Sequence, residues 1–110
     1  QKKAAKVGFD WDNVKDALDK VQEELDEVRR AIDGDGDSEE EIGDLLFASV
    51  NVARHLKIDP EAAAEKTCNK FVSRFAAMER QATAAGKKLA DLSLSELDAL
   101  WDSAKHEEHA

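Results

Sequence analysis

The sequence predicts an all-α domain, and three observations carry that prediction. Apolar residues recur at steps of three and four, the helical spacing, along most of the chain. One proline and five glycines in 110 residues leave room for long uninterrupted helices. No stretch alternates apolar and polar residues as a half-buried strand would. The expected architecture is a bundle-like array of four helices, whose short connections make neighbours run antiparallel.

The first predicted helix opens near Asp12, the expected N-cap. Val14, Leu18, Val21, Leu25, Val28 and Ile32 then share one face, and Gly34 with Gly36 ends the helix. Ser38 followed by Glu41 reads as a capping box that starts the second helix. Carboxylates in its first turn suit the positive end of the helix dipole. Ile42, Leu45, Leu46, Val50, Ala53 and Leu56 form a broad apolar face, widened by Phe47, Ala48 and Val52. This helix is therefore expected to be the most buried. Asp59 and Pro60 are the expected N-cap and first residue of the third helix. Cys68, Phe71, Val72, Phe75 and Met78 mark its expected buried side, and Gly86 its stop. Ser93 with Glu96 is a second capping box, opening a short fourth helix with Leu94, Leu97, Leu100 and Trp101. Phe9 and Trp11 are expected to staple the chain ahead of the first helix. His55 is expected at a surface or interface, and His106 and His109 in a fraying tail.

Composition narrows the function. The net charge of −9 leaves no basic excess to displace counterions, which argues against a nucleic acid or an anionic membrane as a general partner. The single cysteine, Cys68, excludes an intrachain disulfide and a cysteine zinc site. It is expected to be a small buried apolar residue. No run of 18 apolar residues is present. The opening "QKKAAKVGFDW" has no apolar signal core, and a cytoplasmic location is expected.

The chemistry concentrates in "DGDGDSEEEIGDLL", Asp33 to Leu46. A calcium loop of the EF-hand kind wants glycine at its sixth place and glutamate at its twelfth. Counted from Asp33, those places hold Ser38 and Asp44, and the capping box puts Ser38 onward in a helix. Two readings stay open: solvated acidic helix faces, or half of a metal site. The other half of such a site would come from "QEELDE", which offers Glu23, Glu24 and Glu27 within about a third of the helix circumference. Glu41 and Asp44 are three residues apart and share a flank. If the two helices pack through their apolar stripes, both sets of acids line one seam. Mg²⁺, or Mn²⁺ in its place, takes such oxygen ligands.

"EELDE", then "EIGD" running into "LLFASVNVARHL", resembles the E-E-x-x-E and E-x-x-D pattern of the all-α nucleoside triphosphate pyrophosphohydrolases, and of the MazG family most of all. "KVGFDW", "KFVSRF" and "LWDSAK" are similar to MazG as well, so the resemblance runs from about Lys6 to Lys105. It implies one MazG-like domain over residues 1–110, of the kind found as the second of two tandem copies in a longer protein. It also implies a Mg²⁺-dependent hydrolase that releases nucleoside monophosphate and pyrophosphate and assembles as a homodimer or larger oligomer. The implied metal ligands are Glu24, Glu27, Glu41 and Asp44. Glu23 is the implied general base, with Glu40 and Lys20 in auxiliary places. Lys70 and Arg74 share a helix face, as do Trp101 and Lys105. The resemblance makes the cations phosphate contacts and Trp101 a base contact, where periodicity alone reads Trp101 as core. Asn51 is expected either to support the acids or to bond between helices. One departure stands out: the family often has Asn two residues before the lysine of "KF", where this chain has Cys68 followed by Asn69.

Two rivals remain. One is a non-catalytic family member that binds nucleotide or serves dimerisation. The other is an acidic helical interaction module indifferent to metal.

Overall fold

A computed structural model describes residues 1–108. It is all-α, with no strand among the described residues. Five helices follow one another: α1 (Lys2–Lys6), α2 (Val14–Ile32), α3 (Ser38–His55), α4 (Pro60–Ala84) and α5 (Leu94–Glu108), with a 3₁₀ turn at Leu89–Asp91. The short α1 was not expected from the sequence. The chain divides into two compact units, Gln1–Glu61 and Ala62–Ala110.

In the first unit α2 and α3 form a hairpin. Two of its caps sit one residue from their expected places. Asn13, not Asp12, caps α2, its side chain accepting from the Asp16 amide at 3.0 Å. Asp37, not Ser38, caps α3, its carboxylate accepting from the Glu39 and Glu40 amides at 3.0 and 3.3 Å. A charged acceptor at the positive end of the dipole serves this position better than a neutral hydroxyl. Gly34 ends α2 with φ 99°, a conformation that side chains rarely adopt, and lets the Asp35 amide reach the Arg30 carbonyl at 2.9 Å. Lys57 does the same for α3 with φ 61°, an unforeseen non-glycine stop.

The hairpin is held by small residues. Ala17, Val28 and Ala31 of α2 and Ala48 of α3 are buried. The expectation that α3 would be the most buried helix is overturned: Ala48 is its one buried residue, while Leu46 and Phe47 are 62% and 63% exposed. A single partner helix covers one side of α3, and its apolar surface is wider than that. The staple before α2 does not form either, since Phe9 is 82% exposed and Trp11 is exposed too. Asp10 holds that segment instead. His55, expected at a surface or interface, has its ring nitrogen 3.1 Å from the Asp10 carboxylate.

The second unit is built around Ala77 and Met78 of α4 and Ala104 of α5, against which Leu89, Leu97, Leu100 and Trp101 pack. The Ser93–Glu96 capping box forms in both directions, each at 3.2 Å. These bonds from Ser93 also hold the Glu96 carboxyl below its usual pKa. Met78 is buried as expected, but Cys68, Phe71, Val72 and Phe75 are exposed. Every side chain from Glu61 to Ser73 is exposed, because this half of α4 extends past the cover its unit provides. His106 is helical, its ring nitrogen 2.7 Å from the Asp102 carbonyl, and so does not lie in a frayed tail. His109 lies outside the described residues.

Candidate functional site

Glu24 lies on the buried stripe of α2, two turns after Ala17 and two before Ala31, and is only 9% exposed. On α3, Glu41 and Asp44 precede the buried Ala48 by seven and four residues and so point the same way. Alanines at the contact allow close helix approach. As a result one carboxylate oxygen each from Glu24, Glu41 and Asp44 lies within 4.8 Å of the others.

Burial, followed by the charges of Asp44, Glu27, Glu40 and Glu24, pushes the Glu41 carboxyl above its usual pKa. One basic group answers part of that charge. Lys20 stands 2.9 Å from Glu24 and 3.3 Å from Glu23, and these contacts, Glu24's first, raise its own pKa. Glu27 stays outside the group of three; its carboxylate accepts from the Arg30 guanidinium. Glu23 and Glu40 are exposed, and the Glu40 amide is taken up by the Asp37 cap. Asn51 accepts from Arg54 of its own helix at 3.1 Å and bridges no other helix.

The donor set suits a hard divalent cation. Octahedral Mg²⁺ at about 2.1 Å per bond puts ligand oxygens roughly 3 to 4 Å apart, a small closure from the spacing seen. The three side chains supply oxygen donors alone, which favours Mg²⁺ or Mn²⁺ over softer metals.

The Asp10 carboxylate accepts from the Arg54 guanidinium and lies 3.1 Å from the His55 ring. The Arg54 bond, helped by the Trp11 amide and by His55, holds the Asp10 carboxyl down at about 2. This contact places Trp11 along a groove of about 360 Å³ that Lys20 and Glu23 also line. Sequence reasoning missed it, because the partners are more than forty residues apart and belong to no spacing motif.

In the second unit Arg74 is 9% exposed and its guanidinium carbon sits 5.3 Å from the centre of the Trp101 ring. Its Nε donates to Glu108 at 3.0 Å. Phe71 leans on the other ring system of this cluster, 5.5 Å from Trp101. Lys70 and Lys105 are exposed. The structure thus gathers Arg74 and Trp101 and leaves the two lysines facing solvent.

The helical hairpin of this all-α chain thus converges three carboxylates that could hold a divalent cation through oxygen alone. Residues 13–77 match the MazG nucleotide pyrophosphohydrolase domain, and the chain belongs to that family. It is 43% identical to the nucleoside triphosphate pyrophosphohydrolase of Escherichia coli K12, over 98% of this chain and 43% of the relative. It is 44% identical to the nucleoside triphosphate pyrophosphohydrolase/pyrophosphatase MazG of Thermotoga maritima, over 96% of this chain and 41% of that relative. To the uncharacterized protein YabN of Bacillus subtilis it is 52% identical, over 62% of this chain and 14% of that protein. The chain therefore spans less than half the length of these relatives. No helix among the described residues is long and apolar enough to cross a membrane.

Proposed function

We propose that this chain hydrolyses nucleoside triphosphates to the monophosphate and pyrophosphate, with Mg²⁺ as cofactor and Mn²⁺ as a substitute. The convergence of the Glu24, Glu41 and Asp44 oxygens within 4.8 Å carries the proposal, because it falls inside the segment that matches the family. These three residues, with Glu27, would hold the cation. A cation there supplies Lewis-acid polarisation of phosphate oxygens and a lowered pKa for water.

The chain's own residues do the rest. Water attacks the α-phosphorus in line, the bond from that phosphorus to the bridging oxygen breaks, and pyrophosphate leaves. Glu23 accepts the water's proton on its carboxylate, and its exposure beside Lys20 keeps it within reach of solvent. Glu40 adds negative charge around Glu41. In the second unit Lys70, Arg74 and Lys105 are assigned to phosphate oxygens and Trp101 to the base. An indole tolerates several bases, since each offers a π face. Such catalysis rests on positioning and electrostatics more than on covalent chemistry.

We further propose a homodimer in the cytoplasm. The exposed Ile42, Leu46, Phe47 and Val50 of α3 make an apolar surface that a second copy would cover.

Hydrolysis in ¹⁸O-labelled water tests the reaction. Label in the monophosphate and none in pyrophosphate is the expected result. Label in released orthophosphate, with diphosphate as the co-product, would overturn it.

A further inference from the structure

Arg74 is a long, flexible cation, and such a side chain loses rotamer freedom whenever it grips a ligand. Here much of that freedom is already gone. The residue is 9% exposed, its guanidinium carbon sits over the Trp101 ring 5.3 Å from the centre, and its Nε is tied to the Glu108 carboxylate at 3.0 Å. The Trp101 ring is itself fixed by Phe71 and by packing on Ala77, Met78 and Ala104.

The choice of nitrogen matters. A guanidinium offers five N–H groups on two edges, and Glu108 occupies only the Nε position. No buried side-chain nitrogen or oxygen among the described residues lacks a partner, so the Nη end of Arg74 reaches solvent. That end carries the paired donors that fit a phosphate. The neighbouring Glu107 does something different, bonding Gln81 at 3.2 Å and standing 3.9 Å from Arg80.

We propose that Glu108 is a positioning residue for phosphate recognition. It clamps the Nε edge of Arg74 against Trp101 so that the two Nη groups are presented, pre-oriented, to a phosphate of the substrate. The inference rests on the reading of Arg74 as a phosphate contact. It adds a residue at the end of α5 that no motif of the sequence marks. Glu108 touches no substrate in this account; it acts through Arg74.

The alternative consequence of a carboxylate at this place has the opposite sign. Were Glu108 a competitor for Arg74, its removal would tighten binding of phosphate. Were it only a tie between helices, removal would leave binding unchanged.

The test uses Glu108→Gln, Glu108→Asp and Glu107→Gln in the full chain, with Trp11→Phe so that emission reports Trp101 alone. Two readouts are taken: KM and kcat for nucleoside triphosphate, and binding of inorganic tripolyphosphate followed by Trp101 emission. Glu108→Gln is expected to raise KM and weaken tripolyphosphate binding about fivefold, the size of one partly screened ion pair. Little change in kcat, a shifted Trp101 emission, partial recovery in Glu108→Asp and wild-type behaviour in Glu107→Gln are expected with it. Unchanged or tighter tripolyphosphate binding in Glu108→Gln would overturn the proposal. If the parent chain hydrolyses no nucleotide, the hydrolase reading falls while the titration still decides the role of Glu108. Failure of the parent to bind tripolyphosphate would overturn both the Arg74 assignment and the clamp.

Discussion

Replacing Glu41 by Gln should stabilise the metal-free protein and abolish its response to Mg²⁺. Burial and four neighbouring carboxylates raise the folded-state pKa of Glu41 above its unfolded value. Between those two values the folded protein binds more protons than the unfolded chain. Metal-free protein therefore loses stability as pH rises through the ordinary carboxylate range, and the loss is complete above the folded pKa. Gln keeps the shape and removes the charge, so the variant escapes this loss at neutral pH. Wild type should escape it by binding a cation. Mg²⁺ at 100 times its dissociation constant, bound to one site of the folded state only, stabilises by about 2.7 kcal/mol. For a chain of this size that is a rise of roughly 10 °C in Tm. Scanning calorimetry at pH 7.5, with chelator and with millimolar Mg²⁺, measures both effects. Wild type should gain roughly the full shift, Glu41→Gln almost none, and the Glu39→Gln control, outside the group of three, the same as wild type. Equal Mg²⁺ responses in wild type and Glu41→Gln would refute the reasoning, as would a metal-free Glu41→Gln protein that melts below metal-free wild type.

Three further outcomes are expected. Asn13→Ala and Asp37→Ala should each cost about 1 kcal/mol in denaturant melts, while Asp12→Ala and Ser38→Ala change little, because the first pair makes the cap bonds. Asp10, held down at about 2, stabilises the fold above the ordinary carboxylate range and ceases to as pH falls toward 2. Asp10→Asn should remove that acid-sensitive part and speed amide exchange across residues 7–13, read by mass spectrometry. Phe47→Glu, on a side chain 63% exposed in one chain, should shift sedimentation from dimer to monomer while leaving helical circular dichroism intact.

Much of this molecule is legible in its sequence, and the parts that are not share a physical cause. The helix limits followed from local chemistry: Ser93 with Glu96, Asp59 with Pro60, the glycines after Ile32. Two caps were misplaced by one residue because Asp12 and Asn13, or Asp37 and Ser38, are adjacent good capping residues, and propensity does not choose between them. The acids of α2 and α3 were legible because a helical hairpin brings residues of known spacing to one seam. Their division was not, since the Arg30 side chain that draws Glu27 aside adds a contact that spacing does not weigh. Burial failed most at Phe71, Val72, Phe75 and the face of α3. An apolar stripe announces that a surface wants cover, and does not say whether this chain or another supplies it. The Arg74–Glu108 and Asp10–Arg54 pairs join residues 34 and 44 apart, beyond any motif.

The most direct measurement is pyrophosphate release from a panel of ribo- and deoxynucleoside triphosphates, by this chain and by Glu41→Gln, with Mg²⁺ and with chelator. The account predicts release with Mg²⁺, none with chelator, and a loss of at least a hundredfold in the variant, on the scale of removing one key electrostatic group. Release that survives chelator or the Glu41→Gln change would contradict it, and so would the absence of release from every nucleotide.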